Sequence, residues 1–486
     1  MLDTGYWIIS TAPTVKFRTI QHPETSIQDQ SILPMVFFTT AFIQHSTLCN
    51  YGIYRQVTRL HIPDEIDRDD EEQIMLNTIV DLQEDIVKFT QEIIKIQSFT
   101  GAEKELADCV LQKLLEFEVD EAFIDGIGNV IGLIRGDEAG TDVMLNSHLD
   151  IVPAGNIDNW HGFDPFGGVI DNNGNIRGRG AADLKGGLSV QLYTMKLLKL
   201  LKDKGLKPRG DLIFSAVVHE EAAEMFGMEY LCKKTLPEKN LNVDFVILCE
   251  PTGLNVVLGQ RGKVELAVKT KGRTAHSSIP KAGINALEKM VPVLNHIFNT
   301  MSKNTTSHNL LGDSSVTVTN LVCKPGGLSI IPDECEISID RRYMPEQNIE
   351  DLIKEFETLI TELKKEDSEF DAIVCSRKIL ERSYTGYEKE VQKYHPPWVV
   401  DEADPLVERS LKALRSIGQN PQINYWKFGT DGSMTAGLLS IPTIGYSGTE
   451  EGYAHTPEER VNIDMMMQSL NGYYAIITEL LEIEFE

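Results

Sequence analysis

The sequence has few of the features that mark secreted, membrane-spanning or disulfide-stapled proteins. Its seven cysteines are scattered and form no Cys-x-x-Cys pair, which is typical of a reducing compartment. No stretch approaches the roughly 20 apolar residues of a membrane helix. The apolar run at 32–43 also lacks the preceding basic segment of a signal peptide. We therefore expect a cytoplasmic protein that does not contact a membrane.

Positive charge is also scarce. The chain carries 46 Lys and Arg residues against 73 Asp and Glu residues, which gives a formal net charge of −27. Such a surface repels a polyanion unless a basic patch is present, and the sequence contains no long Lys/Arg run. A nucleic-acid partner is therefore not expected.

The hydrophobic pattern changes near Met75. Residues 1–74 show no useful period of 2 or 3.6, whereas the apolar residues that follow have amphipathic-helix spacing. We interpret 1–74 as an N-terminal extension or as the product of a misassigned translation start. The rest divides into the first part of a main domain (75–260), an inserted domain (261–375) and the second part of the main domain (376–486).

Apolar strands alternate with helices in both parts of the main domain. TDVMLNSHLD, DLIFSAVVHEE and NVDFVILCEP each read as a buried strand that ends in polar residues. This pattern predicts an α/β sheet covered by helices on both faces. Between 261 and 375 the order β-α-β-β-α predicts a small α+β domain inserted into the first.

Acidic and imidazole side chains recur at the predicted strand ends and turns. They are His148 and Asp150 in HLD, Asp183 in GRGAADLKGG, Glu220 and Glu221 in HEE, Glu250 in CEP, and His455 in AHTPEE. Carboxylate and imidazole are ligands for divalent cations, and metal-assisted hydrolysis also needs a free carboxylate to take a proton. The series as a whole therefore indicates a two-metal hydrolase site.

Taken one at a time, these residues also have ordinary interpretations. His148 and Asp150 fit a polar pair at a strand end, and Asp183 fits a helix N-cap. Adjacent acidic residues such as Glu220 and Glu221 are common on surfaces, and a loop histidine such as His455 is usually just exposed. The metal-site interpretation depends on their occurrence together.

These linked motifs resemble those of the M20 family of metallopeptidases and amidohydrolases, which includes acetylornithine deacetylase, succinyl-diaminopimelate desuccinylase and glutamate carboxypeptidase. The resemblance extends from about Met75 to the C-terminus. It implies a zinc-exopeptidase-like catalytic domain with a mixed central sheet. It also implies that the inserted domain is a ferredoxin-like dimerisation or lid domain.

The resemblance assigns a role to each motif. One Zn²⁺ would be bound by His148, Asp183 and Glu250, and the other by Asp183, Glu221 and His455, with Co²⁺ or Mn²⁺ as substitutes. Glu220 would be the general base, and Asp150 would orient His148. The peptide bond after Asp183 would be cis.

The resemblance also assigns substrate contacts. His276, in GRTAHSS, would reach the active site of the partner in a homodimer and stabilise the oxyanion. Arg342, in SIDRRYMP, would bind a substrate carboxylate, although Arg341 is an adjacent competitor and strand alternation should aim only one of them inward. The pocket would be lined by Gly429, Thr430, Asp431 and the loop 447–450, which includes Gly448.

We therefore expect a dinuclear zinc hydrolase that cleaves an amide bond of an N-acyl amino acid through a metal-activated water. A dipeptidase or carboxypeptidase of the same family is the alternative within the enzyme class. A non-catalytic dimeric binding protein is the alternative outside it, and the complete set of ligands argues against it. The sequence specifies neither the substrate nor the native metal.

Overall fold

A computed structural model describes residues 70–222 and 225–483 of the chain. Residues 1–69 of the proposed N-terminal extension lie outside the described residues. Within the described part, no helix is long and apolar enough to cross a membrane.

The helices range in length from four residues to 25. In chain order they are α1 (Asp70–Ile94), α2 (Lys104–Glu116), α3 (Gly186–Asp203), α4 (Phe226–Tyr230), α5 (Leu236–Lys239), α6 (Ala286–His296), α7 (Ile349–Glu366), α8 (Pro405–Ser416) and α9 (Ile463–Leu480). Helix α1 begins five residues before the predicted Met75, at a run of acidic residues that favours a helix N-terminus. Its apolar positions Ile79, Leu82 and Ile86 are buried, as the spacing predicts.

The strands are mostly short. In chain order they are β1 (Glu121–Ile124), β2 (Val130–Ile134), β3 (Val143–His148), β4 (Val169–Ile170), β5 (Asn175–Arg177), β6 (Leu212–Val217), β7 (Phe245–Leu248), β8 (Val256–Gln260), β9 (Gly262–Lys271), β10 (Ser307–His308), β11 (Gly312–Asp313), β12 (Ser315–Lys324), β13 (Glu334–Tyr343), β14 (Asp371–Ser376), β15 (Lys378–Arg382), β16 (Glu388–Gln392), β17 (Tyr394–His395), β18 (Trp398–Val399), β19 (Ile423–Trp426), β20 (Thr443–Gly445) and β21 (Arg460–Asn462).

The large sheet is mixed and has the order β1-β2-β6-β3-β7-β20-β8-β18, with β19 also paired to β8. Both faces of the sheet are covered. Leu145 and Ile247 belong to a core on one side with α1, α3 and α9, whereas Met144 and Val246 belong to a second core with α4 and α5. A strand buried on both faces accounts for the continuous apolar runs in the sequence. The predicted α/β class with a mixed central sheet is confirmed.

Strands β6, β3 and β7 are neighbours in this sheet, and both pairs are parallel. Their carboxyl ends therefore meet at one edge of the sheet. The polar residues that follow them in sequence must leave the sheet at that edge, which is where ligands bind in open α/β sheets.

The second sheet has the order β12-β13-β9-β14, and every pair in it is antiparallel. With α6 after β9 and α7 after β13, the chain follows the β-α-β-β-α-β order of a ferredoxin-like unit. It has its own core, in which Ile337 and Ile339 of β13 pack with Phe356 of α7. The short strand β17 pairs with β9 from beyond this segment.

Candidate active site

The carboxyl ends of β3, β6 and β7 deliver four of the expected site residues. His148 is the last residue of β3, and Glu220 and Glu221 follow β6 after a turn in which His219 has a φ of 60°. Glu250 follows β7 by two residues. These side chains are well shielded, since residue exposure is 2% at His148, 9% at Glu220 and 5% at Glu250.

Asp183 comes from an irregular turn between β5 and α3. The glycines before it have φ values of 155° at Gly178 and 82° at Gly180, which only glycine adopts readily. Asp183 (φ −127°, ψ 90°) and Leu184 (φ −138°, ψ 33°) both have non-helical backbones within this turn. The Asp183–Leu184 peptide bond is cis, as the resemblance implied. This turn carries the carboxylate to the same edge of the sheet.

The two oxygens of Asp183 face different imidazoles. Oδ1 lies 3.1 Å from Nε2 of His148, and Oδ2 lies 3.2 Å from Nε2 of His455. Glu250 Oε1 lies 3.6 Å from the His148 nitrogen, and Glu221 Oε2 lies 3.0 Å from the His455 nitrogen. Two groups of ligand atoms are thus arranged about one central carboxylate.

Burial and mutual repulsion govern the acidic members of this cluster. Burial raises the pKa of Glu220 well above its usual range, and the charge of Glu250 adds to the effect. Burial also raises the pKa of Glu250 well above its usual range, with a further contribution from Asp183. The pKa of Glu221 is raised by burial and by Asp183. Several buried carboxylates therefore repel one another at this place, and positive charge there is favourable.

The imidazoles are the cationic partners of these carboxylates in the metal-free chain. Hydrogen bonds with Asp183 and Glu221 raise the pKa of His455 to about 10. Burial acts to lower the pKa of His148, but Asp183, Glu250 and Glu220 outweigh it, so this pKa lies well above its usual range. Burial would raise the pKa of Asp183, but its hydrogen bonds to both imidazoles depress it. The cluster attracts positive charge at both ends of Asp183.

Asp150 contacts two parts of the site through different atoms. Its main-chain oxygen lies 2.9 Å from Nδ1 of His148, while its carboxylate Oδ1 is 3.6 Å from that nitrogen. The carboxylate instead accepts hydrogen bonds from the main-chain N–H groups of Glu220 (3.0 Å) and Glu221 (3.1 Å), and from the Thr100 hydroxyl (2.7 Å). The partner of His148 is thus the carbonyl, and the carboxylate fixes the Glu220–Glu221 turn.

Two residues that hold the Asp183 turn in place, Glu459 and Arg179, were not predicted from the sequence. Glu459 is fully buried and accepts hydrogen bonds from the main-chain N–H groups of Ala182 (3.2 Å) and Asp183 (3.1 Å). Its other oxygen pairs with the buried guanidinium of Arg179. Arg179 lies in the motif GRGAADLKGG, and Glu459 lies in the motif AHTPEE. In each motif, the sequence signal was a charged residue to which no role had been assigned.

The loop 429–431 was predicted to line the pocket, and its residues Thr430 and Asp431 are buried. Asp431 is 3% exposed, and burial raises its pKa to about 7 with a further contribution from the charge of Asp150. The charge of Asp431 in turn contributes to the raised pKa of Glu220 and of Glu250. Thr430 is buried and donates a hydrogen bond to Gln260 Oε1 at 2.6 Å.

Two of the predicted pocket glycines are explained by packing. A Cβ on Gly429 would lie 2.8 Å from the ring of His395, and a Cβ on Gly448 would lie 2.2 Å from the main-chain oxygen of Met465. The loop that carries Gly448 is joined to the loop after Glu250, since the N–H of Gly253 donates to the carbonyl of Thr449 at 2.7 Å. A substrate contact by either glycine stays a prediction.

Strand alternation separates the two candidate arginines. Arg341 points toward α7, is 3% exposed and lies 3.4 Å from a carboxylate oxygen of Glu355. Arg342 is on the opposite face, where its Nε donates to Asp340 at 2.8 Å and its Nη1 donates to the Lys427 carbonyl at 3.4 Å. Of these two arginines, it is Arg342 that contacts Lys427, in the segment that leads into the loop 429–431.

His276 is exposed in the loop after β9. Its Nδ1 accepts a hydrogen bond from the main-chain N–H of Ser278 (3.1 Å) and lies 2.7 Å from the Ser278 hydroxyl oxygen. Its backbone pairs with Ile330 on a neighbouring loop. These contacts lie within the small domain, so the structure of one chain does not bring His276 to the cluster around Asp183.

The chemistry of the donor atoms suits divalent cations. Ligand atoms of His148, Asp183 and Glu221 lie within 4.8 Å of one another, and so do those of His148, Glu220 and Glu250. Imidazole nitrogens and carboxylate oxygens in a tight, buried, acid-rich group fit zinc and related metals. The residues present therefore fit a metal pair.

The chain is similar to several curated proteins along most of its length. It is 29% identical over 406 residues to YgeY of Escherichia coli K12, which covers 83% of this chain and 96% of that protein. It is 28% identical to the metallohydrolase MJ0457 of Methanocaldococcus jannaschii, with 82% and 100% covered. A protein named "Probable succinyl-diaminopimelate desuccinylase" of Staphylococcus epidermidis is 29% identical over 216 residues, with 44% and 51% covered.

Solved structures share the fold. The di-peptidase Dug1p of Saccharomyces cerevisiae gives a TM-score of 0.64 at 14% identity, with 85% of this chain and 99% of that chain covered. The Bacillus subtilis protein YXEP, described as a dinuclear metal-binding peptidase of the M20 family, gives 0.58 at 14% identity, with 83% and 99% covered.

The sequence model of peptidase family M20/M25/M40 matches residues 144–479, a range that begins in β3 and ends in α9. This range contains every side chain of the cluster around Asp183. Members of the family are metal-dependent hydrolases of amide bonds, and the chain belongs to this family.

Proposed function

We propose that this metallohydrolase uses two Zn²⁺ ions to cleave the amide bond of an N-acyl amino acid. The observation that carries the proposal is the central position of Asp183, whose two oxygens face His148 and His455 at 3.1 and 3.2 Å. The similarity to a desuccinylase, an enzyme named for removing an acyl group, favours an N-acyl substrate.

Each zinc would be held by three side chains. One set is His148, Asp183 and Glu250, and the other is Asp183, Glu221 and His455, with Asp183 shared. When bound, the cations polarise the substrate carbonyl and lower the pKa of water. Co²⁺ or Mn²⁺ would suit the same oxygen and nitrogen donors.

Glu220 is left free to move protons. Its carboxylate lies in the group with His148 and Glu250 but belongs to neither proposed ligand set. Burial beside other acids makes it a stronger base than an exposed glutamate, which suits a residue that takes a proton from water and passes it to the leaving amine. The main-chain hydrogen bond to Asp150 keeps it in position.

The carboxylate of the amino acid would bind to Arg342. The guanidinium is already oriented by Asp340, and it shares the Lys427 carbonyl with Arg261. Two guanidinium groups thus converge near the loop 429–431, and the pKa of Arg261 is lowered by burial and further by the charge of Arg342. An incoming carboxylate relieves that repulsion and accepts a bidentate hydrogen bond.

A second copy of the chain would supply His276 for the oxyanion. The small domain has a surface suited to such a copy. Leu287, Val291 and Phe298 recur at helical spacing along α6 and its continuation, with exposures of 38, 47 and 53%. An exposed apolar stripe of this kind favours association, and a homodimer would bury it.

The test of this function is a substrate panel. Metal-free protein and protein restored with Zn²⁺ should be assayed against N-acetyl and N-succinyl amino acids, dipeptides and C-terminally blocked peptides. We expect zinc-dependent release of the free amino acid from an N-acyl substrate. Preferential cleavage of unacylated dipeptides would replace the proposal with a dipeptidase. Tight binding without turnover in the zinc-restored protein would replace it with a binding protein.

Two isosteric substitutions at adjacent positions separate the roles of the acids. Glu220→Gln should lower kcat by about 10²–10⁴-fold, the usual contribution of a general base, and leave zinc content unchanged. Glu221→Gln should lower zinc content to about one ion per chain. Loss of zinc from Glu220→Gln, with retention by Glu221→Gln, would show that the two roles are exchanged.

A further inference from the structure

A pair of cysteines in the small domain has no part in the proposed hydrolysis. Cys323 on β12 and Cys335 on β13 are direct partners in the antiparallel register, and their sulfur atoms are 3.2 Å apart. Residues directly opposite on antiparallel strands project from the same face of the sheet. The two thiols therefore face each other at the inner side of the small sheet.

Small apolar residues would fill these positions without any special role, and buried cysteine often does so. The register argues for more. The Cα separations of directly opposed antiparallel residues, about 4.5–5.5 Å, fall in the range that a disulfide needs. A disulfide could therefore form between Cys323 and Cys335 without a shift of either strand.

The chain between the two cysteines supports the loop that carries His276. Within this chain segment, the N–H of Ile331 donates to Ala275 at 2.9 Å, and the carbonyl of Ser329 accepts from Ser277 at 3.0 Å. These bonds lie on either side of the His276–Ile330 bridge. The segment 324–334 is thus the hydrogen-bonded neighbour of the His276 loop, and a disulfide would close it at its base.

We propose that Cys323 and Cys335 are an oxidisable pair, and that their disulfide restrains the loop that presents His276. The link to His276 rests on the proposed function; formation of the disulfide does not. This would be a modification site in the small sheet, made by residues that belong to neither proposed metal-ligand set.

The chemistry requires a low-molecular-weight disulfide as oxidant, such as glutathione disulfide. Cys323 is the more exposed residue of the two, so its thiolate attacks the oxidant first and releases one glutathione thiol. Cys335, whose pKa burial and the neighbouring thiol raise to about 12, then loses its proton and attacks the Cys323 sulfur. The second glutathione thiol leaves, so the protein loses two hydrogen atoms and the oxidant gains them.

The pair is tested on the full-length, zinc-restored protein. After incubation with glutathione disulfide, free thiols are blocked with one alkylating label, the protein is reduced, and newly released thiols receive a second label. Mass spectrometry then assigns the labels. We expect the second label on Cys323 and Cys335 in equal amounts, and an intact mass without bound glutathione at either residue. A stable glutathione adduct on Cys323, or the first label on Cys335, would overturn the proposal.

Two variants sharpen the result. Cys323→Ser should remove the second label from Cys335, whereas Cys375→Ser, at an exposed cysteine of the same sheet, should leave the Cys323–Cys335 disulfide unchanged. Persistence of the second label on Cys335 in Cys323→Ser would contradict the pairing.

The restraint on the His276 loop is measured by hydrogen exchange. Closing the loop with a cross-link restricts its opening, so we expect exchange at residues 272–277 and 329–333 to slow by about tenfold or more on oxidation. Exchange in α9 should not change. Equal exchange rates at 272–277 in the two redox states would refute the coupling. Neither readout uses a substrate, so both stand apart from the test of the hydrolase.

Discussion

Replacement of Asp150 by asparagine tests how the site is held in position. The Asp150 carboxylate accepts the main-chain N–H groups of Glu220 and Glu221 and the hydroxyl of Thr100. Asparagine keeps the shape but exchanges one acceptor oxygen for an N–H₂ group. The Thr100 hydroxyl can rotate to accept from that group, whereas a main-chain N–H cannot. Asp150→Asn therefore leaves one of the two main-chain donors without its acceptor.

The size of the expected effect follows from the loss of one main-chain hydrogen bond. A buried donor that loses a charged acceptor costs about 1–3 kcal/mol of unfolding free energy. The displaced turn carries both a proposed base and a proposed ligand, and outer partners of metal ligands are worth about 10–100-fold in metal affinity. Asp150→Asn should therefore lower both the unfolding free energy and the affinity for zinc. The hydrogen bond of His148 should persist, because it is made to the Asp150 main chain.

The assay combines urea unfolding of the metal-free protein with zinc titration against a competing chelator. Thr100→Val is the matched control, since it removes the third donor and leaves both main-chain bonds to the carboxylate intact. It should change zinc affinity by less than about threefold. The reasoning fails if Asp150→Asn binds zinc as tightly as Thr100→Val does. It fails equally if the histidine NMR spectrum shows that the Nδ1 hydrogen bond of His148 is lost.

Two further predictions use other parts of the structure. The pKa of His455 is raised from 6.5 to about 10 in the metal-free chain, so its proton stabilises the fold fully below pH 6.5 and this contribution is lost as the pH rises through 10. Because zinc needs the neutral imidazole, binding at pH 8 should release protons, and calorimetric titration in buffers of different ionisation enthalpy should detect them; a buffer-independent enthalpy would contradict this. Gly472→Ala should lower the unfolding free energy by about 2 kcal/mol or more, because its Cβ would lie 1.9 Å from the buried Tyr446 hydroxyl oxygen. Gly452→Ala, with no atom within 4 Å of the new Cβ, should change it by less than about 0.5 kcal/mol in the same urea assay.

The part of the site that could be predicted from the sequence is the part made by local rules. An apolar run followed by a charged motif marks the end of a buried strand, and three such runs in parallel neighbours bring His148, Glu220 and Glu250 to one edge. Alternation along a strand likewise separates Arg341 from Arg342. Each conclusion depends only on residues a few positions apart.

Two kinds of contact could not be predicted: one joins distant segments, and the other depends on which acceptor of a residue is used. Glu459 meets the Asp183 turn across 276 positions because β21 pairs with β5, and nothing in either strand specifies the other. Asp150 was expected to orient His148, and the backbone conformation after β3 brings its main-chain oxygen, not its carboxylate, to within hydrogen-bond distance of the imidazole. Sequence spacing cannot decide between two acceptors of one residue.

The pairing of β21 with β5 also has a consequence for the order in which the protein is made. This pairing brings His455 and Glu459 to the Asp183 turn, while the small sheet lies between Glu250 and His455 in sequence. A nascent chain on the ribosome can present His148, Asp183 and Glu250 long before the strand 460–462 emerges. The second of the two proposed ligand sets is then still incomplete. A pair of cations can therefore bind as proposed only after this strand has emerged, and an earlier intermediate offers at most one of the two proposed sites.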